Sequence, residues 1–453
     1  MTHYQSVQAA EADVNIYVAE MRFFRALEYF NKIQLLGDVP WLEVDLNVDS
    51  EELYGPKMKR NQVFQKIIED LDFAIQWLPE AGSEEANRLN KDIARHVKAR
   101  FCLNEGTHYK YHDELEYASE AEKWLQMAAT ESDKLITSGR YEIYNTGHPQ
   151  EDYFNMYRID DKSDLKEAVL YVDYKTNIRE HNMAAAGREA GCGFSKSFVE
   201  SFLCSDGLPI SLSNKYLGDE TMRKETANRD PRLKQLILTN DFPTNVTDDL
   251  KDSTFVVNED EFITQHCFTG YRPIKGFNPI YSQALYMKSS FDGIAYRYAE
   301  TLLINAEAKA ELNTITDADL DRTVNQLRDR VGMPHLTVNV GFTDPKWPDW
   351  GYSSESYLQE IRRERCIELA GEGFRFNDLK RWKAGKVLNN VLTYVGKRKP
   401  DGNLAIVYPN YTNPDLSYQA GKSRTWEDKM YLYPIPTGEL QRNPQLLPQN
   451  PGW

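Results

Sequence analysis

The sequence predicts a mainly α-helical protein, in which pairs of helices form a scaffold and a loop-rich insertion with short strands interrupts it. Two observations support this prediction. Apolar residues recur at the spacing of a helix over most of residues 9–138 and again after residue 296. Between residues 139 and 292 that spacing is lost, and glycine, proline, asparagine and aromatic residues become more frequent. A helical scaffold that carries an irregular segment explains both patterns.

Four helices are expected in the N-terminal part, at residues 9–36, 61–78, 91–106 and 117–138. In the first of them Ile16, Phe23 and Phe30 mark the apolar face. Gly37 allows the turn that ends this helix, and Pro40 then restrains the chain to an extended geometry. Short loops between helices predict antiparallel pairs in a tetratricopeptide-like arrangement, although the spacing is too irregular for a regular repeat of about 34 residues.

We expect one domain over residues 1–453, divided into N-terminal helical hairpins (1–138), a loop-rich insertion (139–292), and C-terminal helices with a closing segment (293–453). Within the insertion, residues 168–174 and 233–238 have the composition of short strands. Loops this long in a compact protein usually carry function. The insertion is therefore where we expect ligand-binding loops.

Helical spacing returns in residues 296–312 and 324–331. The stretch 354–382 predicts two further helices, the second of which contains Asp378 and Arg381. Ser353 or Ser354 can cap the first of the two, and Gly371 and Gly373 can end it. Arg365 falls within its apolar stripe, and a buried arginine needs carboxylate partners. The nearby charged residues are Glu364, Glu368, Glu372, Asp378 and Arg381. We predict a charged network inside the helical core, with a structural rather than a catalytic role.

The composition argues against several classes of protein. With 41% hydrophobic residues, the 453-residue chain can build a sizeable core. A formal net charge of −15 argues against a nucleic-acid partner and against direct binding to anionic lipid. No apolar run approaches the ~18 residues that a membrane span needs. Residues 1–20 are polar and acidic, unlike a signal peptide. Among the five cysteines, pairing between Cys192 and Cys204 stays open.

Neither catalysis nor metal binding has a specific signal. The 69 Asp and Glu residues could include the carboxylate pair of a glycosidase, but no two of them stand out. No Gly-x-Ser-x-Gly or phosphate-binding glycine motif occurs. His108 and His112 have metal-ligand spacing with Glu105 nearby, but the helix is expected to fray around Gly106 and no third ligand stands out. We therefore expect no catalytic residues, no metal site and no cofactor.

Aromatic residues make up 12% of the chain, and their densest loop spans residues 347–352. Trp347, Trp350 and Tyr352 are candidates for stacking on the flat face of a sugar ring. The alternative is that they pack over neighbouring helices. Trp41, just after the turn that ends the first helix, has the same two interpretations.

A second cluster lies inside the insertion and supplies both rings and polar groups. It consists of Tyr271, Arg272, Phe277, Asn278 and Tyr281. Arg179 and Asn182, from an earlier loop of the insertion, are further polar candidates. Sugar hydroxyl groups require amide or guanidinium partners beside an aromatic surface, so these residues have suitable chemistry.

Several ordered motifs resemble one known family. They are Arg362-Arg363-Glu364-Arg365, Glu368-Leu369, Glu372-Gly373, Asp378-Leu379, Arg381-Trp382, Tyr296-Arg297-Tyr298-Ala299-Glu300, Asn305-Ala306-Glu307-Ala308, Tyr433-Pro434-Ile435-Pro436 and Asn450-Pro451-Gly452-Trp453. Together they look like the signature of SusD/RagB nutrient-binding lipoproteins, and the resemblance spans nearly the whole chain.

The resemblance implies a non-catalytic protein at the outer membrane. Such a protein would bind an oligosaccharide on the extracellular face and deliver it to a SusC-like TonB-dependent transporter. Membrane attachment would come only through a lipid anchor on a cysteine, and family members also begin with a signal peptide and further N-terminal helices. None of these features is present in residues 1–20.

Three alternatives remain open at the level of sequence. The protein could be a scaffold subunit of the transporter without a ligand of its own, or it could bind peptides, as some relatives of this family do. A glycan-processing hydrolase is the third alternative. The sequence does not identify the glycan or its linkage.

Overall fold

The computed structural model describes residues 11–84, 87–183, 193–264, 266–406 and 424–453. The chain forms two compact units. The first contains the described residues within 1–137, 380–385 and 426–453, and the second contains those within 138–379 and 386–425. Helices dominate and the strands are short, which confirms the predicted mainly α-helical class.

Four long helices form most of the first unit. They are α1 (Glu11–Leu36), α2 (Arg60–Trp77), α3 (Lys91–Tyr111) and α4 (Ala121–Thr137). Helix α1 packs against α2 and α3 packs against α4, so consecutive helices form the predicted tetratricopeptide-like pairs. The rings of Phe30 and Phe101 stack with 3.6 Å between their centroids, and Phe64 meets Trp124 edge-on at 4.8 Å. These rings come from all four of the helices, and the contact of Phe30 with Phe64 joins the two ring pairs into one core.

Helix α3 is longer than its sequence predicts, because Gly106 does not interrupt it. A side-chain carbon at this glycine would lie 2.9 Å from the Cγ of Leu125 on α4. The missing side chain therefore allows a close approach of two helices, rather than a break in one of them. The helix continues to Tyr111, where the backbone N–H of His112 still donates to the carbonyl of His108 at 3.0 Å.

Short helices and strands alternate in the second unit. The helices are α5 (Asp152–Met156), α6 (Lys196–Ser201), α7 (Met222–Thr226), α8 (Arg232–Leu236), α9 (Tyr298–Glu311), α10 (Asp317–Asp321), α11 (Val324–Arg330) and α12 (Ser356–Glu368). Two further helices are α13 (Arg375–Arg381) and, in the first unit, α14 (Thr437–Arg442). The strands are β1 (Ala168–Val172), β2 (Pro243–Val246), β3 (Ser253–Phe255), β4 (Gly293–Arg297), β5 (Val395–Arg398) and β6 (Leu404–Ile406).

The strands form three antiparallel pairs, β1 with β4, β2 with β3 and β5 with β6. In the first pair Ala168 lies opposite Arg297, and Tyr171 lies opposite Ile294. This pairing explains why residues 296 and 297, predicted as the start of a helix, are extended. Helix α9 begins one residue later, at Tyr298.

The strand predicted at residues 233–238 is wrong, since residues 232–236 form helix α8. Asp230 accepts a hydrogen bond from the backbone N–H of Arg232 at 2.9 Å, and Pro231 supplies a backbone angle suited to a helix start. Leu233, Leu236 and Ile237 are completely buried, and their spacing is that of one helix face.

The predicted cap of helix α12 is also wrong. The helix begins at Ser356, and Glu355 takes the N-cap position without a capping hydrogen bond from its side chain. Its predicted end is confirmed, because Gly371 and Gly373 have φ angles of 76° and 85°.

Among the described residues, every helix is either too short or too polar to cross a membrane. Among the described residues, Cys102, Cys204, Cys267 and Cys366 form no disulfide bond with one another. Cys192 lies outside the described residues, so its pairing with Cys204 stays open.

Candidate functional site

A network of buried charges holds the second unit together behind its loops. Glu368 lies at its centre and accepts hydrogen bonds from Arg297 at 2.7 Å, Arg330 at 2.6 Å and Arg232 at 3.0 Å. Arg297 also pairs with Glu167 at 3.1 Å. Burial alone would raise the pKa of Glu368, but the three guanidinium groups hold this pKa well below its usual range. The predicted charged core is therefore present.

Arg365, around which the sequence predicts this network, bonds to Asp378, one of the charged residues expected near it, and also approaches Glu307. Its Nε bonds to Asp378 at 3.0 Å and lies 3.8 Å from Glu307. Glu364 instead bonds to Arg232 and Arg328, and Glu372 bonds to Arg297 and Lys275. Because these partners come from elements far apart in the chain, helical spacing within residues 354–382 could not identify them.

Two loops of the insertion, residues 174–183 and 280–291, are tied together by backbone and side-chain bonds. His181 and Ser289 exchange backbone hydrogen bonds of 2.9 and 3.1 Å. The N–H of Met287 donates to the side-chain oxygen of Asn182 at 3.1 Å, and Lys288 lies 3.3 Å from Glu180. We call the side chains that these loops expose the insertion surface, and it comprises Ile178, Arg179, Met183, Tyr281, Tyr286 and Met287.

The insertion surface exposes two aromatic rings on an anchored backbone. The side chains of Tyr281 and Tyr286 are 53% and 71% exposed. The N–H of Tyr281 donates to the carbonyl of Val246 at 2.9 Å, and that of Ser282 donates to Asp248 at 2.9 Å. The loop is therefore held in place from its base, while the rings remain accessible.

Arg179 packs on the first of three aromatic rings that lead from the surface to the buried Phe291. Its guanidinium group lies 4.9 Å from the ring centroid of Tyr174, which meets His181 edge-on at 4.5 Å. His181 in turn meets the buried Phe291 at 4.6 Å. A cation held on an aromatic face keeps its N–H groups free to bond at its edge. Arg179 can therefore present hydrogen-bond donors next to exposed rings.

His181 uses both nitrogens of its ring to hold the first loop. Its Nε2 is 2.8 Å from the carbonyl oxygen of Phe291, which can only accept. Its Nδ1 accepts a hydrogen bond from the backbone N–H of Met183 at 3.1 Å. These two bonds require the neutral ring with the proton on Nε2. Burial lowers the pKa of His181, and the bond to Phe291 opposes part of this shift.

We expect acid to weaken this loop through His181. Since the folded-state pKa lies below the ordinary value of 6.5, the unfolded chain binds more protons in this window, and stability falls as the pH decreases below 6.5. Urea unfolding between about pH 7.5 and about pH 5.5 should show a steeper loss for the natural protein than for His181→Gln, which cannot titrate. Equal losses in the two proteins would contradict this assignment.

Two of the predicted rings of the insertion are buried. Tyr271 is 0% exposed and its hydroxyl donates to Glu225 at 2.8 Å, while Phe277 is 2% exposed in the core. Burial raises the pKa of Tyr271 well above its usual value, and the charge of Glu225 adds to the shift. For both residues the burial favours a packing role over the ligand role that the sequence predicts. Arg272 and Asn278 are partly exposed.

The aromatic loop at residues 347–352 contacts helix α12, which follows it in the chain. Trp350 is 4% exposed, donates its indole N–H to Gln359 at 2.6 Å, and lies 5.2 Å from the guanidinium of Arg362. Trp347 is half-buried and donates to Glu360 at 2.7 Å. The hydroxyl of half-buried Tyr352 accepts from Arg362 at 3.0 Å. This geometry favours the packing interpretation for Trp350 and occupies the polar atoms of the other two.

Trp41 lies in the first unit and contacts side chains of helix α1. Its ring centroid is 4.1 Å from that of Tyr29, and the guanidinium of Arg25 lies 4.9 Å away. These contacts favour the packing interpretation of Trp41.

Tyr286 is the exposed aromatic residue of the insertion surface that sequence reasoning missed, together with Ile178, Met183 and Met287. Single apolar residues in a loop give no periodic signal, so sequence could not separate them from core residues. The available sign was that the segment from 281 to 287 is rich in large residues without alternating polar ones.

The histidine pair considered for metal binding has other contacts. Glu105 forms a two-bond ion pair with Arg60, and His112 lies 2.9 Å from the carbonyl oxygen of Lys380. Within the parts of the chain that the structure describes, no group of three or more His, Cys, Asp or Glu side chains is arranged to hold a metal ion.

Known proteins resemble this chain in sequence and in fold. SusD-like protein P2 of Formosa agariphila is 25% identical over 456 residues, which cover 98% of this chain and 75% of that protein. The structure of a SusD-like protein from Bacteroides fragilis matches with a TM-score of 0.72 at 24% identity, covering 99% of this chain and 82% of that one. A SusD-like carbohydrate binding protein from the same organism matches with a TM-score of 0.69 at 22% identity, covering 98% and 82% of the two chains.

The family comparison covers the second unit almost completely and extends to the C-terminus. The model of the SusD family matches residues 135–453, which is more than half of the chain. The protein belongs to the SusD family.

Proposed function

We propose that this protein is a non-catalytic glycan-binding protein of the cell surface, which captures an oligosaccharide on the insertion surface. The observation that carries this proposal is the pair of exposed rings, Tyr281 and Tyr286, on a loop that backbone bonds anchor. Rings of this kind stack on the C–H faces of sugars. Arg179 and Asn182 supply the polar partners that sugar hydroxyl groups need.

Membership of the SusD family supports an oligosaccharide as the ligand, since one solved relative is described as carbohydrate binding. We propose further that the bound glycan passes to a SusC-like TonB-dependent transporter, and that a lipid anchor holds the protein at the extracellular face of the outer membrane. Both steps follow from the family resemblance.

The bonds of Glu364 and Glu368 support a structural rather than a catalytic role for these two carboxylates. Glu364 and Glu368 are each bonded to at least two arginines, so neither is free to move a proton. A glycosidase needs one carboxyl group that stays protonated beside another that is ionised. The guanidinium groups around Glu368 instead hold its pKa below the usual range, against the effect of burial.

The test of this proposal is calorimetric titration of a panel of oligosaccharides into the natural protein and two variants. Tyr281→Ala and Tyr286→Ala should each weaken binding of the best ligand by about 1 kcal/mol, because each removes one stacking ring. Tyr17→Ala is the matched control, since Tyr17 is 65% exposed but lies on α1 in the other unit. Affinity unchanged in both loop variants would remove the insertion surface as the site.

The same panel separates the remaining alternatives. Peptides belong in it, and heat from peptides alone would favour a peptide-binding protein. Silence across glycans and peptides would favour a scaffold subunit of the transporter. Sustained release of shorter sugars by the purified protein would establish a hydrolase and overturn the non-catalytic assignment.

A further inference from the structure

A cavity of about 360 Å³ lies within the first unit, between the end of α1 and the C-terminal segment. Its apolar lining is aliphatic and comes from Leu36, Val39, Leu53, Ile435, Pro436 and Leu446. The volume is within the range of pockets that hold small ligands. This cavity belongs to a different unit from the insertion surface, and the glycan proposal does not use it.

Hydrogen bonds fix the backbone segments that surround the cavity. The side-chain amide of Asn443 donates to the carbonyl of Gly55 at 2.9 Å, and that of Gln445 donates to the carbonyl of Tyr54 at 2.8 Å. On the other side, the amide of Asn450 donates to the carbonyl of Leu36 at 2.9 Å. Walls fixed by bonds of this kind cannot simply collapse onto each other, so the space between them is part of the fold.

Two opposite charges line the cavity without meeting. Lys57 donates one hydrogen bond, to the carbonyl of Pro448 at 2.7 Å, and among the described residues its ammonium group has no carboxylate partner. Asp38 also lines the cavity, and its carboxylate accepts the backbone N–H of Arg60 at 2.8 Å. Burial lowers the pKa of Lys57, and the charge of Asp38 opposes this shift across the gap. The bond from Lys57 to Pro448 is exposed to solvent, so the other N–H donors of this ammonium group are accessible to a ligand at the mouth of the cavity.

We propose that this cavity binds a free aliphatic α-amino acid, such as leucine, as a zwitterion. The α-carboxylate of the ligand would bond to Lys57, its α-ammonium group would face Asp38, and its aliphatic side chain would fill the floor. Glu439 and Arg442, the other charged pair of the rim, already bond to each other and stay at the solvent side. A ligand with both charges on one carbon is the chemistry that matches a separated cation and anion above an aliphatic floor.

A sugar fits this cavity poorly. Of the lining residues only Tyr54 carries an aromatic ring, so a sugar face would find little to stack on. An uncharged aliphatic molecule would make no use of the charges of Lys57 and Asp38 that line the cavity. A zwitterion with an aliphatic side chain matches both the two charges and the aliphatic lining of the cavity. This inference does not depend on glycan binding.

Calorimetric titration of the purified protein with L-leucine and three analogues tests the proposal. Leucinamide lacks the carboxylate, N-acetyl-L-leucine lacks the ammonium charge, and glycine lacks the aliphatic side chain. We expect each to bind about tenfold more weakly than leucine or worse, because each loses one of the three contacts. No heat with leucine, or equal affinity for leucine and its two charge-blocked analogues, would overturn the proposal. Tighter binding of trileucine than of leucine would overturn the assignment to a free amino acid.

Two variants locate the site independently of the ligand series. Lys57→Gln and Asp38→Asn should each weaken leucine binding about tenfold, and the asparagine keeps an acceptor for the N–H of Arg60. Lys66→Gln is the matched control, since Lys66 is an exposed lysine on α2 whose ion-pair contacts are with Glu43 and Glu69. Tyr281→Ala should leave leucine affinity unchanged while glycan affinity falls. Loss of leucine binding in Lys66→Gln or Tyr281→Ala would contradict the assigned position.

Discussion

Replacing Glu368 by glutamine should lower the free energy of unfolding by about 3–5 kcal/mol, the largest effect that we expect from one isosteric change. Glu368 is completely buried and bonds to Arg232, Arg297 and Arg330. Glutamine keeps the shape of the side chain but removes its charge. The three guanidinium groups would then stay buried with one fewer negative charge to compensate them. The resulting loss of stability is far larger than that from a lost surface ion pair.

The measurement is urea unfolding of the natural protein and two variants. Asp164→Asn is the matched control, because Asp164 is an exposed carboxylate of the same unit, and its loss should change stability by no more than about 0.5 kcal/mol. Similar stabilities for Glu368→Gln and Asp164→Asn would show that the network does not hold the unit together.

The contribution of Glu368 to stability depends on pH, and the direction of this dependence follows from the pKa of its carboxyl group. Burial would raise the pKa of Glu368, but its three arginines outweigh that effect and hold the pKa below the ordinary value. The folded state therefore binds fewer protons than the unfolded state at acidic pH. The contribution of Glu368 to stability is present above the unfolded pKa of 4.5 and is lost as the pH falls through the folded value.

The helices were predictable because burial leaves a period in the sequence. In α2, for example, Val63, Ile67 and Leu71 are all completely buried at the spacing that predicted them. The predictions failed where long-range packing decides the local structure. Gly106 continues its helix because of its contact with Leu125, which lies on another helix. The partners of Glu368 could not be predicted, since Arg232 and Arg297 are 136 and 71 residues away in the chain.

The candidate site was predictable in its chemistry but not in its accessibility. Composition identified Arg179, Asn182 and Tyr281, and the structure brings these three to two loops that are tied together. Composition cannot tell an exposed ring from a buried one, since both are large and apolar. Trp350 and Tyr281 were therefore both candidates, although their exposed fractions are 4% and 53%.

Replacing Trp350 by alanine should lower the free energy of unfolding by about 3–5 kcal/mol, because it removes a large buried side chain and leaves a cavity. The guanidinium groups of Arg362 and Arg375 lie 5.2 and 5.9 Å from the ring centroid of Trp350. Its indole N–H also donates to Gln359. Urea unfolding measures the loss, and it should appear whether or not a glycan is present.

Glycan affinity separates this packing role from the stacking role that the sequence also allows. If Trp350 packs, Trp350→Ala should retain the affinity of the natural protein under conditions where it is folded, while Tyr281→Ala should lose affinity and keep its stability. Trp350→Ala would then lose stability and keep affinity, whereas Tyr281→Ala would lose affinity and keep stability. This result is expected when the scaffold and the binding surface are separate parts of the protein. Reduced affinity in folded Trp350→Ala, with full affinity in Tyr281→Ala, would instead place the ligand at the loop of residues 347–352 and require the ring to leave its two arginines.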